Sequence, residues 1–581
     1  METTASIAIA PGATMAQAAS SSGHPWLTCY PAGVDWAQPM VGEPVPMLLD
    51  RAVKTYANKP CTNFLGKRLT YGEISALVDR ATVGLKRIGV TKGMKVGLFL
   101  PNCPTFIVYY YAILKAGGVV VNYNPLYSPE ELTFQIKDSE TRVMITLDLV
   151  ALFGKVEKLV EAGTLEHVVV ASFPALLPST KSVLFRLLKS KDLAQPARSS
   201  IAAKITMESV LMDNDGRYDP ITIDPNDIAV LQYTGGTTGT PKGAALSHAN
   251  LTINVQQVRA WTAGGLKPGQ ERVVGILPFF HVFAMTGVMN LSIAMASEIV
   301  MLPRFELEDT LKLIASTKPT MMPGVPTVFN AMLNHPKIKT FDLSSLKFCL
   351  SGGAPLPLEV KRGFEALTGC RLVEAYGLSE TSPGATFNPF EGPVKEGSIG
   401  QPIPGTIVAI KAPEDGSDVP LGKEGEICIK GPQVMIGYWN KPEETANVFR
   451  DGFLRTGDIG KMDDQGFTFI TDRIKDMIIC SGFKVFPRHV EDKIYQHPAV
   501  EEVSVIGIAD SYRGEAPKAF IKLKAGQTAT AADILKHLEP KLSKIEMPSQ
   551  IEFRDALPKT MIGKLSKKEL KQEEAERAAR K

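Results

Sequence analysis

The residues best suited to chemistry form a stretch rich in glycine and threonine, YTGGTTGTPKG at positions 233–243. A short apolar run at 228–231 precedes it and predicts a strand, so the stretch is expected to form the loop that follows. Its glycines let backbone amides point inward, its threonines add donors, and its lysine adds a positive charge, which together suit a phosphate group. The loop therefore predicts a phosphate site built from Thr234, Gly235, Gly236, Thr237, Thr238, Gly239, Thr240 and Lys242.

This loop differs from the two best-known phosphate loops. Pro241 precedes Lys242 and Gly243 follows it, so the Walker pattern Gly-x4-Gly-Lys-Ser/Thr fails. The dinucleotide pattern GxGxxG is also missing from the stretch. A flexible Gly/Thr-rich turn is the plain alternative, but eleven consecutive suitable positions favour a phosphate site.

Four later segments carry charged or aromatic residues suited to nucleotide chemistry. They read YGLSET at 376–381, FLRTGD at 453–458, DRIKD at 472–476 and PKTMIGK at 558–564. With the loop, they resemble in kind and order the motifs of the acyl-adenylate-forming enzymes, a family that includes acyl-CoA synthetases, amino-acid adenylation domains and luciferases. Segments at 120–127, 431–435 and 551–555 resemble bacterial long-chain fatty-acid–CoA ligases in particular.

The resemblance implies a first step in which a carboxylate attacks the α-phosphate of ATP and pyrophosphate leaves. Two anions must meet, so the protein mainly supplies positioning and positive potential. Glu380, with Thr234, would hold Mg²⁺, and Lys564 would place its ammonium at the reacting oxygens. Asp458 would bind the ribose hydroxyls and Arg473 the ribose or phosphate. The remaining nucleotide contacts implied are Tyr376, Gly353, Ala354, Pro355, Glu374, Ala375, Gly377 and Ser379.

The resemblance also implies a second step, in which the thiol of coenzyme A attacks the adenylate after the small domain turns about Lys475. The expected contacts with coenzyme A are Ser481, Gly482, Phe483 and Arg513. Ordinary core packing is the alternative for Phe483. Relatives often carry Lys-x-Pro where this chain has Glu546-Met547-Pro548, so the usual basic residue is replaced by a glutamate and Lys544 is the candidate stand-in.

An acyl pocket is expected near the sequence LPFFHVF at 277–283. Amino-acid adenylation domains usually place an aspartate near this region to pair with the substrate ammonium. This chain has aromatic residues and a histidine there, which favours an acid without an α-amino group. His281 could orient the carboxylate or be a plain core histidine. The predicted pocket residues are Phe280, His281, Val282, Gly324 and Gly352.

The composition limits the classes of protein to which the chain can belong. The chain has 581 residues, 44% of them hydrophobic and 22% charged, which is an ordinary globular balance. Its formal net charge of +3 gives no case for a nucleic-acid partner. Seven dispersed cysteines without a CxxC pair argue against disulfides or a zinc site and favour the cytoplasm.

Two segments could be mistaken for membrane elements. Residues 273–297 lack Asp, Glu, Lys and Arg, but Pro278, Gly287 and Asn290 interrupt them, which favours a buried core segment. Residues 181–191 (KSVLFRLLKSK) form a basic amphipathic patch. We expect a surface helix that packs Val183, Leu184, Leu187 and Leu188 inward, with contact to an anionic membrane surface as the alternative.

The elements that must position these residues alternate between short apolar runs and helical patterns, which predicts an α/β fold. Strands are expected at 95–100, 119–122, 143–147 and 167–171, and a helix at 104–116. Ser128 and Glu131 have the spacing of a helix-capping box. The resemblance implies a large lobe of α/β subdomains with mixed sheets at 26–474 and a small mobile α+β domain at 475–581. The Ala, Ser, Thr and Gly content of the first residues predicts a loose tail at 1–25.

The function predicted is ligation of a medium- or long-chain fatty acid to coenzyme A through an acyl-AMP intermediate. ATP, Mg²⁺ and coenzyme A are the small molecules required. An aryl- or dicarboxylate–CoA ligase is the alternative within enzymes. A fatty-acid-binding protein at the membrane face, without activity, is the alternative outside them. Peripheral membrane contact and a homodimer are left open.

Overall fold

The computed structural model describes residues 23–234, 241–262, 264–560 and 563–580. Residues 235–240 of the glycine-rich loop lie outside the described residues, as does most of the predicted N-terminal tail. The described helices, numbered along the chain, are α1 (Pro46–Tyr56), α2 (Tyr71–Arg87), α3 (Pro104–Lys115), α4 (Pro129–Ser139), α5 (Val150–Glu161), α6 (Ser179–Leu188), α7 (Glu208–Leu211), α8 (His248–Trp261), α9 (Val282–Ala284), α10 (Leu291–Ala294), α11 (Leu307–Thr317), α12 (Pro326–Leu333), α13 (Leu358–Thr368), α14 (Pro442–Val448), α15 (Pro487–Tyr495), α16 (Ala531–Leu538) and α17 (Lys567–Ala579).

The strands are short and alternate with these helices through the first two-thirds of the chain. They are β1 (Pro60–Phe64), β2 (Lys67–Thr70), β3 (Lys95–Leu98), β4 (Val119–Asn122), β5 (Val143–Leu147), β6 (His167–Ala171), β7 (Ile205–Met207), β8 (Ile228–Thr234), β9 (Lys242–Ser247), β10 (Arg272–Gly275), β11 (Glu298–Met301), β12 (Met321–Gly324), β13 (Phe348–Gly352), β14 (Arg371–Gly377), β15 (Gly384–Phe387), β16 (Gln401–Pro402), β17 (Ile407–Lys411), β18 (Gly425–Lys430), β19 (Gly437–Tyr438), β20 (Phe449–Arg450), β21 (Phe453–Met462), β22 (Thr468–Arg473), β23 (Ile478–Cys480), β24 (Phe483–Val485), β25 (Val500–Asp510), β26 (Gly514–Leu523) and β27 (Gln550–Phe553).

Within the described residues, the large domain contains three sheets. One has nine strands in the order β16-β15-β14-β13-β12-β10-β11-β1-β2, and a second has eight in the order β19-β9-β8-β4-β3-β5-β6-β7. Both are parallel in the middle and antiparallel toward an end, as in the pairs β14–β15 and β8–β9. The third sheet is antiparallel, with β17-β18-β21-β20 in order and β22 on β21. The predicted α/β class with mixed sheets is confirmed.

The small domain has its own sheet and core. Its strands run β24-β23-β26-β25, and β27 pairs in parallel with β26. Val490, Ile494, Ile521 and Ile534 are fully buried members of its hydrophobic cluster, which is separate from that of the large domain. The chain crosses from β22 to this domain over the short turn Ile474–Asp476, which contains the predicted hinge residue Lys475.

Local chemistry accounts for several helix starts. Ser128 accepts a hydrogen bond from the Glu131 amide while the Glu131 carboxylate accepts one from the Ser128 amide, which is the capping box expected at α4. Thr530 and Asp533 make the same pair at α16. Strands β4, β5 and β6 have the predicted bounds.

The apolar stretch at 273–297 is a core segment, as predicted. It forms β10, α9, a π-helical turn at Met285–Asn290 and α10. Val274, Met285, Val288 and Ile293 are fully buried within it. Among the residues described, no helix is both long enough and apolar enough to cross a bilayer.

The packing expected for the basic patch is wrong. A helix does form there as α6, but its aliphatic side chains point outward: Leu187 is 71% exposed and Leu188 is 72% exposed. Phe185 is instead the side chain that packs against the core. Helical periodicity gives the width of an apolar stripe but does not say which side of the helix meets the protein.

Candidate active site

The glycine-rich loop connects two paired strands whose ends are described. Thr234 ends β8, Lys242 begins β9, and the two residues are direct partners in the antiparallel pair. The Lys242 ammonium forms an ion pair with Glu444 and lies 5.2 Å from the centre of the Tyr438 ring. The predicted phosphate contacts Gly235, Gly236, Thr237, Thr238, Gly239 and Thr240 lie outside the described residues.

Glu380 lies on a short turn, Ser379–Thr381, that packs against β8 and β9. The Tyr438 hydroxyl donates to its Oε1 at 2.7 Å, and the Met435 amide donates to its backbone carbonyl at 2.8 Å. Tyr438 therefore connects Glu380 with Lys242 at the base of the loop. Tyr438 could not be identified from the sequence, because it belongs to a two-residue strand more than fifty residues away from Glu380.

The oxygen groups here fit a magnesium ion. Mg²⁺ is commonly held by one or two carboxylates together with substrate phosphates and waters. Glu380 supplies the carboxylate, and the Thr234 hydroxyl lies at the end of a strand against which the Glu380 turn packs. Among the described residues, no group of three or more His, Cys, Asp and Glu side chains is arranged to hold a metal ion.

Asp458 and Arg473 face each other across the pair β21–β22. The Asp458 carboxylate is buried, with its Oδ2 accepting from the Tyr376 hydroxyl at 2.6 Å and its Oδ1 paired with the Arg473 Nε at 2.9 Å. Burial raises the pKa of the Tyr376 phenol, which therefore stays a donor. Each carboxylate oxygen has a second acceptor site, so Asp458 can still receive ribose hydroxyls.

Lys564 reaches this site from the small domain. A side chain added at Gly353 would place its Cβ 2.7 Å from the Lys564 Cε, so the glycine is what lets the lysine lie against the strand end. Burial and the neighbouring Arg473 lower the pKa of Lys564 to about 8, although Asp458 opposes the shift. The Lys564 ammonium and the Arg473 guanidinium thus place two positive charges at this site.

Helix α12 of the large domain contacts the loop that carries Lys564. The Thr327 hydroxyl donates to the Gly563 carbonyl at 2.6 Å, and the Asn330 amide group donates to the Glu501 carbonyl at 3.0 Å. Both acceptors belong to the small domain. The sequence did not identify Thr327 or Asn330, because their role depends on how the two domains meet.

His281 precedes α9 and caps it. Its Nδ1 accepts from the Phe283 amide at 3.2 Å, which leaves the proton on Nε2. Burial, with a smaller effect of Lys564, lowers the pKa of His281 to about 3, so the ring is neutral at pH 7. A neutral ring with a free Nε2–H beside Lys564 can donate to a carboxylate.

The segment Gly353-Ala354-Pro355 follows β13 and is supported from β14. The Glu374 Oε1 accepts from the Leu356 amide at 3.2 Å, so Glu374 braces this segment with its side chain. Burial raises the pKa of Glu374 to about 7. The other predicted contacts on this strand, Ala375 and Gly377, continue toward Ser379 and bring Tyr376 beside Asp458.

An apolar cavity of about 40 Å³ lies behind this site, between α8 and the strand ends of the nine-stranded sheet. Of the predicted pocket residues, Gly352 adjoins its wall, because a Cβ there would meet the Phe283 ring at 3.1 Å. Gly324 instead gives room to Phe329, whose ring would be 2.8 Å from an added Cβ. Phe280, His281 and Val282 are not among the lining residues, which include Asn254, Val258, Phe283, Thr286, Gly287, Phe348 and Phe390.

A second cavity of about 460 Å³ adjoins the first. The two share Thr262, Phe348 and Phe390 as walls. The second is also lined by residues 29–32 near the N-terminal end of the described chain and by residues 389–393. A sequence pattern could not identify the lining of the second cavity, because its residues come from segments that are far apart in the chain.

Three of the predicted contacts with coenzyme A, Ser481, Gly482 and Phe483, lie on an exposed hairpin of the small domain, and Arg513 lies in the neighbouring turn between β25 and β26. The Ser481 amide donates to the Arg513 carbonyl at 2.7 Å, and Ser481 and Gly482 both have positive φ in the turn between β23 and β24. Phe483 is 61% exposed, so the core-packing alternative for this residue is wrong. An aromatic side chain in this position is available to a ligand.

The hinge region is tied to the last helix. Lys571 pairs with Asp476 at 2.8 Å, and burial next to Arg473 lowers the pKa of Lys475. Glu546, where relatives often carry lysine, accepts from the Ser543 hydroxyl at 2.6 Å and caps its own turn. A local structural role therefore accounts for this carboxylate.

Comparisons with known proteins show which family this chain resembles. The AMP-binding enzyme family matches residues 49–439, and its C-terminal domain matches residues 489–564. A long-chain-fatty-acid–CoA ligase of Bacillus subtilis is 43% identical over 560 residues, covering 96% of this chain and 99% of the relative. One from Escherichia coli O6:H1 is 36% identical over 553 residues, covering 94% and 98%. The crystal structure of ATP-bound MatB from Rhodopseudomonas palustris superposes with a TM-score of 0.79 at 28% identity, covering 91% of this chain and 98% of that one.

Proposed function

The chain belongs to the AMP-binding enzyme family, and on that premise we propose that it joins a long-chain fatty acid to coenzyme A in two steps. First, a carboxylate oxygen of the acid bonds to the α-phosphorus of ATP and the bond to pyrophosphate breaks. Then the sulfur of coenzyme A bonds to the acyl carbon, the carbon–oxygen bond to AMP breaks, and the thiol proton is released.

One observation carries this proposal: Lys564 of the small domain lies against Gly353 and beside Arg473 and Asp458, with an apolar cavity behind them. The attack joins two anions, so its transition state needs fixed positive charge at the reacting oxygens. Lys564 supplies that charge from one side. Lys242 supplies charge at the other end, under the β- and γ-phosphates.

The nucleotide is held by groups that are already oriented. Asp458 receives the ribose hydroxyls, and its position is fixed by Tyr376 and Arg473. The segment Gly353-Ala354-Pro355, braced by Glu374, forms one wall for adenine. Magnesium bound by Glu380 and Thr234 would neutralise charge on the phosphates. Positioning of this kind is the main contribution of a protein to phosphoryl transfer.

The acyl chain occupies the cavity beyond Phe283. His281 donates its Nε2–H to the carboxylate at the mouth, where Lys564 is also found. The small enclosed cavity alone is too short for a long chain, so the tail extends past Phe348 and Phe390 into the second cavity. The walls of the first cavity are mostly apolar, and no Asp or Glu that could pair with an α-amino group is among its lining residues.

For the second step, we propose that the small domain turns about Lys475 and brings the hairpin of Ser481, Gly482 and Phe483, with Arg513, to the adenylate. The domain boundary at 474–475 fits this turn, because separate cores lie on its two sides. A cytoplasmic location, a homodimer and a peripheral membrane contact stay predictions.

An exchange assay tests the function. ATP–pyrophosphate exchange is measured with straight-chain acids of 8 to 18 carbons, with aryl acids, and with and without coenzyme A; Lys564→Ala is the comparison variant. Exchange and acyl-CoA formation with the long straight-chain acids, lost in Lys564→Ala, are expected. Turnover confined to aryl acids, or a Lys564→Ala variant that behaves like the wild type, would contradict the proposal.

A further inference from the structure

Helix α6 exposes an apolar stripe to solvent. Val183, Leu184, Leu187 and Leu188 follow the spacing i, i+1, i+4, i+5, which puts them on one side of a helix. All four side chains are more than half exposed. No other ten-residue stretch of the described chain exposes four large apolar side chains. Contiguous exposed patches of this kind mark interaction sites.

The stripe is not needed to attach the helix to the protein. Phe185, on the opposite side, packs against Phe173 with ring centres 5.0 Å apart. Lys181 of the helix adds a polar contact, because its ammonium donates to the Leu65 carbonyl at 2.8 Å. The helix is therefore held from one side while its aliphatic side stays free.

Exposed basic residues accompany the stripe along the chain. Arg186 lies within the helix, Lys189 and Lys191 directly follow it, and the only acidic residue from 179 to 192 is Asp192, whose Oδ2 is 3.9 Å from the Lys189 Nζ. An apolar face with a basic rim is the arrangement that places a helix in the boundary between lipid headgroups and acyl chains. The positive charge is complementary to anionic headgroups.

We propose that α6 docks this protein on the surface of a bilayer that contains anionic phospholipid. The four aliphatic side chains enter the boundary region, and the basic side chains contact the phosphates. Only the benefit of docking rests on the proposed function, because a ligase docked there would take its fatty acid from the bilayer. Binding itself does not depend on catalysis.

The test uses the full chain and sedimentation with vesicles of phosphatidylcholine alone or with phosphatidylglycerol at a ratio of 7:3. The wild type is expected to bind the mixed vesicles, less at high salt. Leu187→Glu/Leu188→Glu is expected to lose at least tenfold in binding, and Lys189→Gln/Lys191→Gln to lose binding mainly to the anionic vesicles. Leu126→Glu/Leu421→Glu, two exposed leucines elsewhere, is the matched control and should bind like the wild type.

Pyrophosphate exchange with octanoate, a water-soluble acid, is measured on the same variants. It is expected to be unchanged, which shows that the variants are folded and separates docking from catalysis. Equal binding of Leu187→Glu/Leu188→Glu and the wild type would overturn the proposal. So would a wild type that binds no vesicles, or one that forms a dimer which this double variant abolishes while vesicle binding persists.

Discussion

Replacing Thr327 by valine tests how Lys564, the lysine proposed to act in the first step, is held. The Thr327 hydroxyl donates to the carbonyl of Gly563, the residue before Lys564, at 2.6 Å. Valine keeps the shape of threonine and removes the donor. Because the bond joins the two domains, its loss weakens the orientation in which Lys564 contacts Gly353 without touching any group that binds substrate.

The size of the effect follows from the strength of one hydrogen bond. A neutral hydrogen bond contributes about 0.5–1.5 kcal/mol, which corresponds to a rate change of roughly 2- to 13-fold. Pyrophosphate exchange should fall by this factor. Formation of acyl-CoA from supplied acyl-adenylate should be unchanged or faster, since the second step is proposed to use a different orientation of the small domain.

Thr340→Val is the matched control, because it removes a hydroxyl that donates to the Lys337 carbonyl within the large domain. It should leave both half-reactions unchanged. If Thr327→Val lowers both half-reactions equally, the threonine stabilises the fold and does not select an orientation. If neither rate changes, the hydrogen bond between Thr327 and Gly563 does not position Lys564, which would refute the prediction.

Three further predictions concern single residues. The pKa of Lys564 is lowered to about 8, so kcat/KM for exchange should fall as pH rises through 8, where the ammonium is lost, and Lys564→Arg should remove that fall. Gly287→Phe should fill the apolar cavity beside Phe283 and shift preference from C16 toward C8 acids in the exchange panel; an unchanged profile would contradict this location of the chain. Burial raises the pKa of Glu374 to about 7, so ionisation opposes folding increasingly from about pH 4.5 to 7; the Tm of Glu374→Gln should therefore exceed that of the wild type at pH 8 but not at pH 4, by calorimetry.

Short-range chemistry made parts of the fold predictable. The capping box of Ser128 and Glu131 needs only a spacing of three residues, and the buried strands β4 to β6 are continuous apolar runs. The breaker residues in 273–297 correctly favoured a core segment. The direction of the α6 stripe was missed, because the deciding contact is Phe185 on Phe173, and the same periodicity fits either side.

The site was predictable where motifs carry its residues and not where distant segments meet. The sequence could propose Asp458 and Arg473 separately, but only the pairing of β21 with β22 puts them 2.9 Å apart. Tyr438, Thr327 and Phe390 have no local signature. Gly324 shows the opposite error: a glycine in the right region was predicted for the pocket, yet its missing side chain makes room for Phe329.

The pairing of β21 and β22 also bears on the fate of the reaction intermediate. Arg473 and Asp458 belong to the large domain, and Lys475 follows only two residues later. A rotation that begins at Lys475 withdraws Lys564 but leaves the strand pair undisturbed. The adenylate would thus stay bound through its ribose while the small domain replaces Lys564 with the hairpin of Ser481, Gly482 and Phe483. Retention of this kind would shorten the exposure of a water-sensitive mixed anhydride to bulk solvent.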